Sequence, residues 1–154
     1  MTSEVEKITD LLTTAFEKNA WYGPSIMEVL DEIDPQTVHH KTGSLHSIIE
    51  LVSHVITWRD FATRRLSGNT LFEVSDTLNF PAAESWIETL TSLRQSQNEL
   101  LSELKKFPDA RLHEIVPGRT YDFFTLIHGV IHHDIYHLGQ IVLLKKLAGK
   151  NLSL

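Results

Sequence analysis

The feature that most constrains the fold is a helical pattern at residues 121–147 with apolar side chains on two sides. On a wheel at 100° per residue, one face carries Leu126, Val130, His133, His137, Gln140 and Leu144. The second stripe consists of Ile127, Ile131, Ile135, Leu138 and Val142. A helix that is apolar on two sides is usually packed between other elements. We therefore expect this helix to lie inside a helical assembly, with its second stripe against a short N-terminal helix or another subunit. We favour a homodimer.

Three further long helical patterns occupy residues 3–19, 44–66 and 82–106. A shorter one is predicted to begin at Pro24 and to end at Asp34-Pro35, because proline favours the first helical position and disfavours helix at the residue before it. These patterns predict an all-α protein with one domain over residues 1–154. Its expected architecture is a four-helix bundle with a short extra helix near the N-terminus.

The predicted ends of these helices follow from their flanking residues. Ser3 and Glu6 have the spacing of a capping box at the start of the first helix. Gly149 is the expected stop of the last helix. Residues 69–81 are predicted to be a loop, and residues 109–120 a connector with a short extended piece around Val116.

Composition excludes several functional classes. The chain has a net charge of -6 and no long basic run, which disfavours binding to nucleic acid through phosphate neutralisation. It contains no cysteine, so disulfides, thiolate nucleophiles and cysteine-bound metals are excluded. No signal peptide and no membrane-spanning apolar run is recognisable, which predicts a cytoplasmic location without membrane association.

The candidate site lies in the last helix. His133 and His137 are four residues apart, so a helix places them one turn apart on the same face, where two imidazoles can bind one divalent metal. His54 lies at the edge of the apolar stripe of the 44–66 helix, and it is the best candidate for a third ligand from a facing helix. The alternative is that these histidines are hydrogen-bonded core residues.

Other polar residues near these histidines have open roles. His128 and His132 form a rival pair on the flank between the stripes. Glu50, one turn before His54, is either its hydrogen-bond partner or a solvated charge, and it is the weak candidate for a general base. Asp134 is expected to be solvated. The connector residues His39, His40 and His113 are expected to lie at the surface. Tyr136 and Gln140 flank the pair and either make polar contacts to a substrate or satisfy buried groups, and the structural role is favoured for Gln140.

Three imidazoles leave open positions on a divalent ion, which is typical of catalytic rather than structural zinc sites. Such an ion can lower the pKa of bound water or of a bound thiol toward neutrality. The ion would then allow two reactions. One is hydrolysis, and the other is activation of a thiol cosubstrate that supplies the thiol group absent from this cysteine-free chain.

Three segments together resemble the DinB/YfiT-like family: residues 20–25, residues 43–58 and residues 133–141, whose closing signature runs from His133 through His137 to Gln140. This resemblance implies a four-helix bundle, often dimeric, with a divalent metal bound by His54, His133 and His137. Many members have an arginine before the glycine of the closing signature, where this chain has Leu138. Members include thiol-dependent transferases and isomerases, and proteins described as metal-dependent hydrolases.

We therefore carry two hypotheses. The first is a metal-dependent enzyme that uses zinc, nickel or a similar ion, together with a low-molecular-weight thiol or water, on a small-molecule substrate. The second is a non-catalytic helical module that binds a ligand or partner and whose metal, if any, is structural or adventitious. Direct DNA binding is disfavoured by the acidic balance of the chain.

Overall fold

The computed structural model describes the backbone of residues 2–151 and the side chains of residues 2–149. Within this part of the chain there are six α-helices and no strand. The helices are α1 (Glu4–Phe16), α2 (Ile26–Leu30), α3 (Ile48–Leu66), α4 (Asp76–Asn79), α5 (Trp86–Lys106) and α6 (Phe123–Asn151). The all-α prediction is confirmed.

Four long helices form the bundle. Helix α3 packs against α5 and α6, and α1 packs against the same two helices, so α1 and α3 lie across from each other. The short helix α2 packs against α6 and α1. The second apolar stripe of α6 is covered largely within the chain, because Leu138 and Val142 pack in the same cluster as the residues of α2. The homodimer remains a prediction.

The structure corrects several predicted boundaries. Pro24 lies outside α2, whose N-cap is Ser25. Helix α6 continues through Gly149 to Asn151, so the predicted stop is wrong. The predicted 69–81 loop contains the one-turn helix α4, which is capped by Ser75.

Two other local predictions, a capping box and a short extended piece, are confirmed. The capping box between Ser3 and Glu6 begins α1. The connector has an isolated bridge between Ile115 and Asp122 beside Val116, which is the short extended piece expected there. Among the described residues, no helix combines the length and apolar character needed to cross a bilayer.

The core is divided into two apolar clusters along the bundle. One includes Phe61 of α3 and Ile131 of α6, and the other includes Val52 of α3 and Leu138 of α6. The segments of α3 and α6 between these residues carry buried polar side chains, with His54 and Arg59 on α3 and Asp134 and His137 on α6. A polar layer therefore crosses the bundle where α3 faces α6, and it contains the candidate site.

Candidate metal centre

His54 of α3 and His133 and His137 of α6 form one cluster. Their nitrogen ligand atoms all lie within 4.8 Å of one another. The Nε2 atoms of His54 and His133 are 3.0 Å apart. His54 and His137 are buried, whereas His133 is partly exposed. The packing of α3 against α6 thus brings together the three histidines that the sequence singled out.

Hydrogen bonds orient two of the three rings. Nδ1 of His54 lies 2.6 Å from the backbone carbonyl oxygen of Asn79, and Nδ1 of His137 lies 2.7 Å from Oε1 of Gln140. Each oxygen can only accept, so each Nδ1 carries the ring proton and donates it. The lone pair of each neutral ring is therefore on Nε2, the nitrogen left free to bind a metal.

This donor set fits a cation. Because Nε2 of His54 presents a lone pair, its 3.0 Å contact with Nε2 of His133 needs either a proton on His133 or a positive ion between the two rings. Ligand nitrogens about 2 Å from a tetrahedral zinc ion are separated by roughly 3.4 Å, within the range spanned by this cluster. The three imidazoles could hold a divalent metal ion.

Comparison with known proteins agrees with this architecture. The family model described as the DinB superfamily matches residues 24–141. The chain belongs to the DinB superfamily. Comparisons with curated proteins and with solved structures found no match. The matched segment includes all three clustered histidines.

Five of the other six histidines of this DinB-superfamily chain lie apart from the cluster, and the sixth, His46, stacks on Phe80 with ring centroids 3.7 Å apart. Nδ1 of His128 contacts the carbonyl oxygen of Phe124 within α6, and His132 is exposed. Among the described residues, the groups that could hold a metal do not include this rival pair. His39, His40 and His113 are exposed, as predicted.

Glu50 caps α3 instead of contacting His54. Its Oε2 accepts the backbone N–H of Ser47 at 2.7 Å, and its Oε1 accepts from Lys41 at 2.8 Å. Burial raises the pKa of the Glu50 carboxyl, yet the hydrogen bonds from Lys41 and Ser47 outweigh this effect and lower it to about 2. A carboxylate with that pKa holds a proton too weakly for an effective general base near neutral pH. These contacts favour a structural role for Glu50.

Asp134 is buried, so the prediction that it is solvated is wrong. It is 2% exposed, and its Oδ2 accepts from Nε and Nη2 of Arg59 at 3.0 and 2.7 Å. Asp134 lies three residues after Ile131 and four before Leu138, which places it within the second apolar stripe of α6. That spacing could have indicated that Asp134 is buried. A carboxylate on an apolar stripe then needs a buried cationic partner.

Sequence reasoning also missed Asn79 and Phe80. Besides its carbonyl contact with His54, Asn79 accepts the indole N–H of Trp58 through Oδ1 at 2.9 Å. The Phe80 ring stacks on the ring of His54 with centroids 4.2 Å apart. Asn79 is the last residue of α4 and Phe80 follows it. This segment has no periodicity, so no sequence pattern indicated that it covers α3.

The pKa values of the clustered histidines predict that the stability of the metal-free protein depends on pH. Burial, with further contributions from His137, His54 and Arg59, lowers the pKa of His133 to about 4, and burial also lowers that of His54. In the unfolded chain the histidine pKa is near 6.5. Between pH 6.5 and pH 4 the unfolded chain therefore binds protons at these histidines that the folded chain does not bind. The part of the folding free energy that depends on these neutral histidines is therefore fully present above pH 6.5, and it is lost as the pH falls toward 4.

The contribution of His133 to this loss is at most roughly 3 kcal/mol, reduced by its partial exposure. Urea unfolding of metal-free protein at pH 7 and pH 4.5 measures the effect. We expect His133→Asn to show a smaller loss between these two pH values than the wild type. Equal losses in the two proteins would contradict the assignment.

Proposed function

We propose that His54, His133 and His137 bind one divalent ion, with zinc or nickel preferred, and that the chain catalyses thiol transfer to, or hydrolysis of, a small molecule at this ion. The observation that carries the proposal is the convergence of three imidazoles from two helices, two of them with Nδ1 engaged and Nε2 free. When bound, such an ion lowers the pKa of a water or low-molecular-weight thiol at its open positions.

The residues around the histidine cluster orient the ligand rings and shield one of them from water. Asn79 and Gln140 hold the rings of His54 and His137 by accepting their Nδ1 protons. Phe80 covers one face of His54 and limits access of water to that side. Polarisation by an ion is stronger in such a partly dry site than in bulk water.

The test begins with metal content. We expect elemental analysis of zinc-loaded, desalted protein to give one ion per chain. Zinc-loaded protein is then assayed with low-molecular-weight thiols plus small electrophiles, and separately with small esters and amides. Turnover that disappears with a chelator and returns with zinc supports the enzymatic proposal.

The non-catalytic alternative predicts a different set of results. A chain without stoichiometric metal, whose melting temperature does not respond to zinc, would contradict metal binding, because a ligand that binds only the folded state must stabilise it. Stoichiometric zinc without turnover on either panel would favour a binding module.

Gln140 offers a graded test of the site. Gln140→Leu removes the acceptor for Nδ1–H of His137, and loss of such a partner typically weakens metal binding about 10–100-fold. Gln140→Glu restores an acceptor at the same position, so we expect it to recover most of the affinity. Competition titrations with a zinc chelator measure both variants. Equal affinity in Gln140→Leu and the wild type would show that this hydrogen bond does not orient the ligand.

A further inference from the structure

A cavity of about 260 Å³ lies between α3 and α6, with His133 in its wall. Trp58 and Phe61 line it from α3, and Leu126 and Val130 line it from α6. Asn79 connects this wall to the histidine cluster, because it accepts hydrogen bonds from both the Trp58 indole and His54. The cavity and the candidate metal centre are therefore parts of one site.

The residues that line the cavity supply no unpaired charge with which to bind an anion. Its remaining lining residues are Tyr121, Thr125 and Gly129, and none of the described lining residues carries a carboxylate, ammonium or guanidinium group. Two guanidinium groups do lie over the Phe61 ring, those of Arg65 and Arg119. Both already pair with the Glu73 carboxylate. A charged group placed within this cavity, away from an ion at the histidine cluster, would lose its hydration without gaining a free cationic partner.

The volume indicates the size of the occupant. An apolar protein cavity of about 150 Å³ is enough to bind benzene. The 260 Å³ available here accommodates one ring with a short substituent. Aromatic walls contribute both buried area and ring-to-ring contacts with such a group.

We propose that this cavity binds the uncharged, apolar part of the substrate, an aromatic or branched aliphatic group of about one ring, and presents the reactive atom beside His133. The inference rests on the proposed function for the reaction itself. It selects substrates that carry a hydrophobic group, such as hydrophobic electrophiles or esters, over small carboxylates and phosphates that lack one.

Gly129 provides a specific way to close the cavity. A Cβ atom built at this position meets nothing within 4 Å, and the backbone of Gly129 is not in the left-handed region. A leucine at this position therefore extends into open space instead of displacing the packed core. Gly139, on the same helix, also has nothing within 4 Å of a Cβ atom but does not line the cavity. Gly139→Leu is thus the matched control, with a similar gain in helix propensity.

The experiment uses toluene and p-toluenesulfonate as probes, since they share a ring and differ in charge. Binding is followed by the NMR resonances of the Trp58 indole N–H and the Gly129 amide, in zinc-loaded and metal-free protein, with Trp58→Phe identifying the indole signal. We expect toluene to shift both resonances saturably. In metal-free protein, where no ion can bind the sulfonate group, we expect p-toluenesulfonate to bind at least tenfold more weakly than toluene. Gly129→Leu should weaken toluene binding at least tenfold, judged by the indole signal, whereas Gly139→Leu should leave it unchanged.

Three results would overturn the inference: no shift with toluene, equal binding of toluene and the sulfonate to metal-free protein, or unchanged toluene binding in Gly129→Leu. Zinc content is measured on the same samples, which separates the two proposals. Toluene binding without stoichiometric zinc removes the proposed reaction and leaves an apolar binding cavity. Stoichiometric zinc without toluene binding removes the substrate class and leaves the metal site.

Discussion

Replacing His137 with alanine is expected to abolish stoichiometric zinc binding. The variant leaves two imidazoles, and loss of a direct ligand costs more than the roughly 100-fold that follows loss of an outer hydrogen-bond partner. The stabilisation of the wild type by zinc, about 2.7 kcal/mol at a hundredfold excess over Kd, should disappear with it. Elemental analysis and thermal unfolding with and without zinc measure the two effects.

The neighbouring histidines provide the control for this prediction. His132→Ala removes an exposed imidazole from the same helix, one residue from His133 and outside the cluster. We expect it to retain one zinc per chain and the full thermal response. Circular dichroism confirms that each variant keeps its helical content. A His137→Ala protein that is folded and still holds one equivalent of zinc would refute the proposed ligand set.

Replacing Arg59 with methionine should destabilise the fold by about 3–5 kcal/mol, because the variant leaves the carboxylate of Asp134 buried without its cationic partner. The pair is inaccessible, with side-chain exposures of 0% for Arg59 and 1% for Asp134. Arg59 also donates from Nη1 to Gln97 at 2.6 Å, so the variant breaks a second buried hydrogen bond. Urea unfolding of metal-free protein measures the loss.

Two further variants separate the buried charge from a general effect of losing an arginine. Arg64→Met removes a partly exposed pair with Asp60 on the same helix, and it should cost less than about 1 kcal/mol. The double variant Arg59→Met with Asp134→Leu removes both charges, and we expect it to recover much of the lost stability. Similar losses in Arg59→Met and Arg64→Met would contradict a destabilising buried charge.

This ion pair also bears on the candidate site, because Asp134 directly follows His133. Burial raises the pKa of the Asp134 carboxyl, and the guanidinium of Arg59 opposes that effect. By linking α3 to α6 next to the histidines, the pair joins the same two helices that carry the three candidate ligands. We infer that it helps to maintain the spacing between His54 and His133.

The helices were predictable because their apolar periodicity is a local property. The four long patterns and the short N-terminal one all correspond to helices in the structure. Boundaries were less predictable where tertiary contacts decide them. Helix α4 is a single turn, too short to produce a periodic pattern, and α6 passes through Gly149 although glycine usually favours a stop.

The amino-acid sequence by itself determined the helical class, the i, i+4 pairing of His133 with His137, and His54 as the best partner on another helix, since each follows from spacing along one helix. Only the tertiary structure decided which groups accept the Nδ1 protons of His54 and His137, that Arg59 neutralises Asp134, and that an apolar cavity opens beside His133. The physical reason is that most of these contacts join segments far apart in the chain. Their positions depend on how α3, α6 and the Asn79-Phe80 segment pack together, which no periodicity within a single segment records.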